Sequence, residues 1–428
     1  MKRNLLVFCV IVFSFIVQLV NAQEINAYAE VTNISGTTIT LSSVDETVDT
    51  FEDGDQIIIM QMQDDVIGSN TGDDASFGDL SDIQSAGLYE IVTILSHTES
   101  SGLPAIITVS AAFTNTYNTG SNSAVQIISF PTLGSPDYTT SSNILSKDWD
   151  GSTGGVVAFN VNGVLTLAND ILADESGFRG ASANSDNSSG SCDGTTYISA
   201  TTDDYADKGE GIYKISNSNY FAGKGHVLSG GGGGNSHNGG GGGGSNYSIG
   251  GDGGPGWQSS SPGYCVPTAG GLGGLALFGE IDESRIFLGG GGGSGEGNNG
   301  GPPTGGSGGG IIILHANEIS TTGSCAGISI STNGENVDSG TSSNDGGSGG
   351  GAGGSIIIET ALWSIDASCD LTISANGGNG TSVGSGSTHG GGGGGGHGVM
   401  FFLDAIYTGT TETDPGDGGG NDNGGVTI

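Results

Sequence analysis

The chain has 428 residues, of which 88 are glycine, and it carries 45 acidic side chains against 8 Lys and Arg. Glycine at this density weakens helices and leaves little side-chain volume for a core, which excludes an ordinary helical or Rossmann-type enzyme. Only 9 prolines and the lack of a strict G-X-Y triplet exclude collagen. The formal charge of −37 argues against nucleic acid as a partner.

Residues 1–22 have the pattern of a secretory signal peptide. Lys2 and Arg3 form a basic start, an apolar run extends over 5–20, and Ala22 closes a small-residue exit before Gln23. A membrane anchor is the alternative, but the apolar run is short for a membrane span. We therefore expect an exported protein, secreted or at the cell surface, with no membrane insertion after signal cleavage.

Residues 23–146 are poor in glycine and predict a first, β-rich domain. Its β-rich segments are separated by Gly, Asn, Asp and Ser clusters, with no helix-period stretch between them, which predicts a small antiparallel barrel or sandwich. The segments are 25–31, 37–41, 57–60, 89–95, 106–109 and 125–130. We expect the acidic segment 64–82 to be a solvated loop.

Residues 147–408 alternate strands with glycine runs and contain an internal repeat. A glycine-rich run precedes Ile311, a second precedes Ile356 and a degenerate third precedes Val399, at spacings of 45 and 43 residues. A second strand and turn also match, since 328–334 resembles 371–377. This period, with two or three short strands per unit, predicts a glycine-rich β-solenoid similar to a parallel β-helix. Residues 409–428 are expected to form a linker-like acidic, glycine-rich tail.

The glycine runs themselves allow two structures. They are either mobile loops or extended polyproline-II chains that pack together, because only glycine lets backbones approach closely enough for Cα–H···O contacts. The runs are bounded by strands at recurring positions, which favours the packed structure. They are 230–234, 239–244, 289–293 and 390–396.

Four cysteines follow the signal peptide, and an even number in an exported protein favours disulfides, for which three connectivities exist. Cys325 and Cys369 lie 44 residues apart, about one repeat, each just ahead of the second strand of its unit. Stacked strands are about 4.8 Å apart and bonded cysteines have Cα atoms about 4.4–6.8 Å apart, so we predict a disulfide between them. Cys192 and Cys265 would pair by elimination or remain free thiols. The alternative is that Cys325 and Cys369 are buried and unpaired.

No set of residues with catalytic spacing stands out, so no catalytic residue is predicted. Four histidines near glycine runs lack metal-ligand spacing and are expected at the surface: His226, His237, His389 and His397. Asp148, Asp150 and the segment 414–422 offer oxygen ligands for calcium. Turn chemistry explains Asp-Gly pairs equally well. No cofactor is therefore predicted, and calcium stays an open alternative.

A carbohydrate-binding or carbohydrate-active β-helix is the alternative function. Three tryptophans could stack on sugar rings, although the third lies in a strand and is expected in the core: Trp149, Trp257 and Trp363. Few basic residues follow the signal peptide to neutralise a uronate substrate: Lys147, Arg179, Lys208, Lys214, Lys224 and Arg285. Ice binding has less support, because regular Thr-x-Thr ladders are lacking.

Several phrases, together with the glycine-rich repeats, resemble a known type of protein: 149–156, 176–180, 208–212 and 230–254. They are similar to glycine-rich regions of large secreted surface proteins and adhesins of gliding bacteria, including the adventurous-gliding type. The resemblance covers about 24–405, and its motifs are compositional. It implies a non-catalytic adhesive or structural role at the cell surface, with polysaccharide or protein partners. Such proteins often run longer and end in a sorting domain, so we expect either the amino-terminal part of a larger protein or a different anchoring.

Overall fold

The structure, a computed structural model, describes residues 22–183, 194–257, 269–298, 301–323, 325–337, 345–384 and 389–419. Regular elements within these ranges are β-strands, apart from one turn of 3-10 helix at Ser218–Tyr220. The all-β prediction is confirmed. Residues 1–21 of the predicted signal peptide, Cys192 and Cys265 lie outside the described residues.

The first six strands close into an antiparallel barrel of order β1-β2-β5-β4-β3-β6, in which β6 pairs back onto β1. They are β1 (Tyr28–Ser35), β2 (Thr38–Asp45), β3 (Gln56–Gln63), β4 (Tyr89–Ser100), β5 (Leu103–Val109) and β6 (Ala124–Ser129). The turn between β4 and β5 has positive φ at Ser101 (58°) and Gly102 (81°). Two positive φ values make the turn that matches the right-handed twist of a hairpin. Of the two predicted architectures, the barrel is the one found.

The other ten strands form two parallel sheets of five strands each. They are β7 (Tyr138–Thr139), β8 (Ile144–Leu145), β9 (Val156–Leu167), β10 (Ile171–Leu172), β11 (Ile311–Thr321), β12 (Ile328–Ser331), β13 (Ser355–Ser364), β14 (Leu371–Ser374), β15 (Val399–Asp404) and β16 (Thr410–Glu412). The first sheet has the order β7-β9-β11-β13-β15 and the second β8-β10-β12-β14-β16. Each successive pair of strands therefore adds one layer to both sheets. Because β7 and β8 precede residue 146, the parallel sheets begin inside the predicted first domain.

The pairing register corrects the predicted repeat by one residue. Ile312 pairs with Ile356, which pairs with Met400, so β11, β13 and β15 of the first sheet repeat every 44 residues. Aligning Ile311 with Ile356 is wrong, because Ile311 pairs with Ser355. A slip of one residue would turn each side chain to the opposite face of the sheet. Both faces of these isoleucine runs are buried and glycine flanks them, so the sequence has no alternation of polar and apolar residues from which the register could be read.

The glycine runs lie side by side as extended chains, which we call the glycine array (230–234, 239–244, 250–254, 289–293, 346–354 and 390–398). In the segment 239–244, the backbone N–H groups of Gly241, Gly242 and Gly243 donate hydrogen bonds to three different neighbouring segments. Gly244 donates to the same segment as Gly241. The acceptors, in that order, are the carbonyls of Gly347, Gly232, Gly251 and Gly350, at 2.8, 2.8, 2.8 and 3.0 Å. Every third residue thus faces the same neighbour, which is the period of a polyproline-II chain.

The chains of the glycine array approach too closely for side chains. A Cβ on Gly243 would lie 1.9 Å from the carbonyl oxygen of Gly394, and one on Gly350 would lie 2.0 Å from that of Gly378. The described glycines of the array are buried. Mobile loops are therefore the wrong alternative for these residues, and packing is the right one.

The barrel covers the first-layer end of the parallel sheets. Asn26 exchanges two hydrogen bonds with the backbone of Ala158, at 2.6 and 3.1 Å, and the Tyr28 hydroxyl donates to the Val156 carbonyl at 2.6 Å. Tyr28 and Ile58 share one buried cluster with Val156. The barrel and the sheets are thus joined through a common core.

The acidic segment 64–82 is exposed over 69–76, as expected of a solvated loop, but it is anchored to the core by buried apolar residues. Phe77 is 1 % exposed and Ile67 5 % exposed, and both belong to the core shared by the barrel and the sheets. The Asp73 carboxylate accepts hydrogen bonds from the backbone of Tyr197 and Ile198, at 2.6 and 3.2 Å. Apolar residues spaced among the acidic ones anchor the loop, while the carboxylates satisfy backbone donors.

The described part of the predicted tail also belongs to the stack. Strand β16 pairs with β14, and Gly416 and Gly419 donate to the carbonyls of Gly395 and Gly392, both at 2.8 Å. Residues 410–419 therefore continue the second sheet and the glycine array instead of forming a linker.

Cys325 and Cys369 form a disulfide with a Cα–Cα distance of 4.8 Å. They lie on neighbouring layers of the second sheet, just before β12 and β14, where Ile328 pairs with Leu371. This is the arrangement that the one-repeat spacing predicts. The partner choice of Cys192 and Cys265 stays a prediction, because both lie outside the described residues.

Candidate functional site

The three tryptophans do not form a sugar-stacking platform. Trp149 is 3 % exposed and donates from Nε1 to Glu210 at 3.2 Å. Trp363 is half-buried against Tyr407, with ring centroids 4.6 Å apart. Trp257 is half-buried against His237, with centroids 5.5 Å apart. Each ring is used in packing, as was expected only for Trp363.

All six basic residues of the described chain are held by other parts of the protein. Three form ion pairs: Lys147 with Asp45 at 2.8 Å, Arg179 with Glu210 at 3.0 Å and Arg285 with Glu280 at 3.5 Å. Lys214 donates to the Ser123 carbonyl at 3.2 Å. The ammonium groups of Lys208 and Lys224 lie 4.4 and 4.3 Å from the ring centroids of Phe77 and Tyr197. Several of these contacts tie the barrel to the rest of the chain.

Arg179, Lys208 and Lys214 line a cleft of about 450 Å³. Glu210 in the same cleft neutralises Arg179. Lys208 is 5 % exposed and donates to the Tyr197 carbonyl at 2.8 Å. Burial lowers the pKa of Lys208 to about 7. The cleft therefore holds little positive charge directed at a ligand.

The histidines near the glycine array are not all at the surface. His226 and His389 are 8 % and 7 % exposed, and burial lowers the pKa of both. His237 and His397 are half-buried. The prediction of surface histidines is wrong for the first two, because packed segments from distant parts of the chain cover side chains that mobile loops would leave in solvent.

Glu296 is a buried carboxyl that sequence reasoning missed. It is 0 % exposed, its Oε2 accepts from the Asn238 backbone at 2.5 Å, and its Oε1 has no hydrogen-bond partner among the described residues. Burial raises the pKa of Glu296 to about 7. A buried carboxyl group without a cationic partner favours the protonated form.

Of the calcium candidates, Asp150 serves a local turn. Asp150 accepts from the backbone of Ser152 and Thr153, both at 2.9 Å, as an aspartate does in a turn of its own. Among the residues that the structure describes, no group of three or more His, Cys, Asp or Glu side chains is arranged to hold a metal ion. Residues 420–422 of the other candidate lie outside the described ranges.

A second candidate site is a cleft of about 480 Å³ beside β15, the edge strand of the first sheet. We call it the aromatic cleft. It is lined by Tyr247, Phe278 and His397, by Ile281 and residues 398–402, and by Thr411 and Thr413. Tyr247 stacks on His397 with ring centroids 5.6 Å apart, and Phe278 lies 6.3 Å from Tyr247.

The rings of the aromatic cleft project from fixed backbone. Asn246, next to Tyr247, is 0 % exposed and donates from Nδ2 to the Gly353 carbonyl at 2.9 Å. Leu277, next to Phe278, is also 0 % exposed and donates to the Asn246 carbonyl at 2.7 Å. Tyr247 and Phe278 themselves are 39 % and 65 % exposed. The cleft is therefore a rigid display of exposed rings.

A signal for this cleft exists in the sequence. Tyr247 and Ile249 interrupt two glycine runs that otherwise contain no large side chain. Phe278 and His397 are far from Tyr247 in sequence, so the contact of these three rings depends on the tertiary structure.

No protein family, curated protein or solved structure matches the chain. In the described part of the chain, helices long and apolar enough to cross a membrane are absent.

Proposed function

We propose that the chain is a non-catalytic adhesive or structural module of the cell surface, built as a β-solenoid with a packed polyproline-II side. The observation that supports this most strongly is that a repeat of 43 or 44 residues recurs in the first sheet, in the second sheet and in the glycine array. Ile312 pairs with Ile356 at an offset of 44 residues and Ile328 with Leu371 at 43. In the glycine array, Gly347 donates to Gly390, again at an offset of 43. Each turn of the proposed solenoid would thus consist of a strand in each sheet and one glycine chain.

This construction suits a load-bearing or adhesive role. Hydrogen bonds in the glycine array run between chains in several directions, and the disulfide links two layers. Few side chains in the array are ionisable or nucleophilic. The chain has a formal charge of −37, and a net charge far from zero favours solubility. The signal-like residues 1–22 support export, and the compositional resemblance to surface adhesins supports the same location.

The proposal is tested by location and by adhesion. Antibody against the chain should detect it in the extracellular or surface fraction, with a mature amino terminus at Gln23. Beads coated with the purified protein should adhere to polysaccharide-coated surfaces without releasing reducing sugar. A cytoplasmic protein that retains Met1, or robust glycan turnover, would overturn the proposal.

Among the carbohydrate alternatives, binding has a specific observation in its favour, the aromatic cleft. Hydrolysis of glycosidic bonds generally uses two carboxylates flanking the bond, and the residues lining this cleft include no Asp or Glu. Binding is therefore the alternative that the cleft supports.

A further inference from the structure

We propose that the aromatic cleft binds a neutral polysaccharide, with pyranose rings stacked on Tyr247 and Phe278. The inference rests on the proposed function as an exported adhesive module, and it names the ligand class and the contact residues.

Exposure of the rings is the first reason. Contiguous exposed apolar patches commonly mark interaction sites, whereas singly exposed apolar residues are normal. Phe278 is 65 % exposed and Tyr247 39 % exposed, although both adjoin residues that are 0 % exposed. Because the backbone that carries the rings is buried and hydrogen-bonded, little conformational entropy is lost when a ligand stacks on them.

Charge is the second reason, and it selects a neutral ligand. The chain holds 45 acidic residues, yet the residues lining the cleft include no Asp, Glu, Lys or Arg. An anionic ligand would meet the repulsion of a chain with formal charge −37 and would find no Lys or Arg in the lining. A cationic ligand would find no carboxylate there. An uncharged ligand is the one that the lining fits.

Polar groups at the rim are the third reason, and they favour a sugar over an apolar chain. His397 Nδ1 lies 2.9 Å from the Gly398 carbonyl and donates to it, because a carbonyl can only accept, and Nε2 is a second polar atom on the same ring. Thr411 and Thr413 bring hydroxyl groups to the same cleft. A pyranose has an apolar C–H face for the aromatic rings and hydroxyls at its edge for these groups. An apolar peptide or lipid would leave the polar groups without partners.

The test is affinity electrophoresis and titration calorimetry of the full mature chain against soluble polysaccharides. The neutral set is a glucan, a mannan, a xylan and a galactan, and the anionic set is polygalacturonate and alginate. We expect binding to at least one neutral polymer and weaker or no binding to the anionic ones. The double variant Tyr247→Ala, Phe278→Ala should lose at least ten-fold in affinity.

Two controls separate stacking from loss of structure. Leu95→Ala removes an apolar side chain of comparable exposure, 62 %, from the barrel, and it should bind as the wild type does. Tyr247→Phe keeps the ring and should retain most of the affinity. Unchanged urea unfolding curves would show that all variants remain folded.

Three results would overturn the proposal. Wild-type affinity in the double variant would remove the ligand from this cleft, and binding of the anionic set alone would reverse the charge argument. A concentration-dependent dimer that the double variant abolishes, with no polysaccharide bound, would make the cleft a contact between copies. In each case location of the protein and adhesion of coated beads would remain separate measurements, and none of these three results would by itself count against the proposed function.

Discussion

Replacing one glycine of the array by alanine should destabilise the protein far more than the loss or gain of a methyl group normally does. In Gly243→Ala the new Cβ would lie 1.9 Å from the Gly394 carbonyl oxygen. Ordinary van der Waals contact begins near 3.4 Å, so the two chains must separate by roughly 1.5 Å. The Gly394 chain cannot simply retreat, because a Cβ on Gly394 would itself meet the Gly416 carbonyl oxygen at 1.9 Å.

The cost follows from strain and from broken hydrogen bonds. Overpacking of a dense interior costs about 1–3 kcal/mol. Separation also weakens the bond from Gly243 N to the Gly251 carbonyl and that from Gly251 N to the Gly394 carbonyl, both 2.8 Å long. Each buried backbone group left without a partner costs about 1–3 kcal/mol. We therefore expect Gly243→Ala to lower the free energy of unfolding by about 4 kcal/mol, or to prevent folding.

The matched control is Gly279→Ala, at a glycine whose added Cβ would meet nothing within 4 Å. Its effect should lie between zero and about 1 kcal/mol of stabilisation, since alanine restricts the unfolded chain. Urea unfolding followed by tryptophan fluorescence measures both variants. If Gly243→Ala unfolds within about 0.5 kcal/mol of the control, the packed glycine array is wrong.

Three further predictions concern charge, covalent linkage and the barrel contact. Glu296→Gln should stabilise the protein by about 2–3 kcal/mol at pH 8 and by nothing near pH 4.5. The pKa of Glu296 is raised to about 7 in the folded state, so the wild type loses stability as the pH rises from the unfolded-state pKa through about 7. Urea unfolding at the two pH values measures this, and an equal effect at both would contradict it. Non-reducing peptide mapping should recover Cys325 joined to Cys369. Replacing both by serine should lower the free energy of unfolding by about 4 kcal/mol in the chain-entropy model, and an unchanged free energy of unfolding would count against the disulfide. A double-mutant cycle on Lys147 and Asp45, 2.8 Å apart, should give a coupling of about 0.5–1 kcal/mol that falls with added salt, and zero coupling would refute a stabilising pair.

The open edge of the first sheet explains where the aromatic cleft lies. In β13 the first four residues are buried, whereas in β15, the last strand, only Val399 is buried and Met400, Phe401 and Phe402 are half-buried. The barrel covers the opposite, first-layer end through Asn26 and Tyr28. Apolar side chains therefore reach solvent at the β15 end, where Tyr247 and Phe278 meet them.

Local elements whose residues interact over short distances or at a regular period could be predicted from the amino-acid order. The β-rich segments of 23–146 predicted the barrel strands, because alternation and turn residues act within a few positions. The spacing of Cys325 and Cys369 predicted their disulfide, because equal positions in a repeat lie on neighbouring layers.

Features that depend on what a segment packs against could be read only from the three-dimensional arrangement. The one-residue register of Ile312 on Ile356 depends on side chains buried on both faces of the sheet, which leave no alternation to read. Burial of His226, His389 and the apolar anchors Ile67 and Phe77 depends on neighbours far along the chain. The aromatic cleft has the same origin, because Tyr247, Phe278 and His397 become neighbours only when separate glycine chains are stacked. Glycine carries no side-chain pattern, so its sequence shows that chains can approach closely but not which chains do.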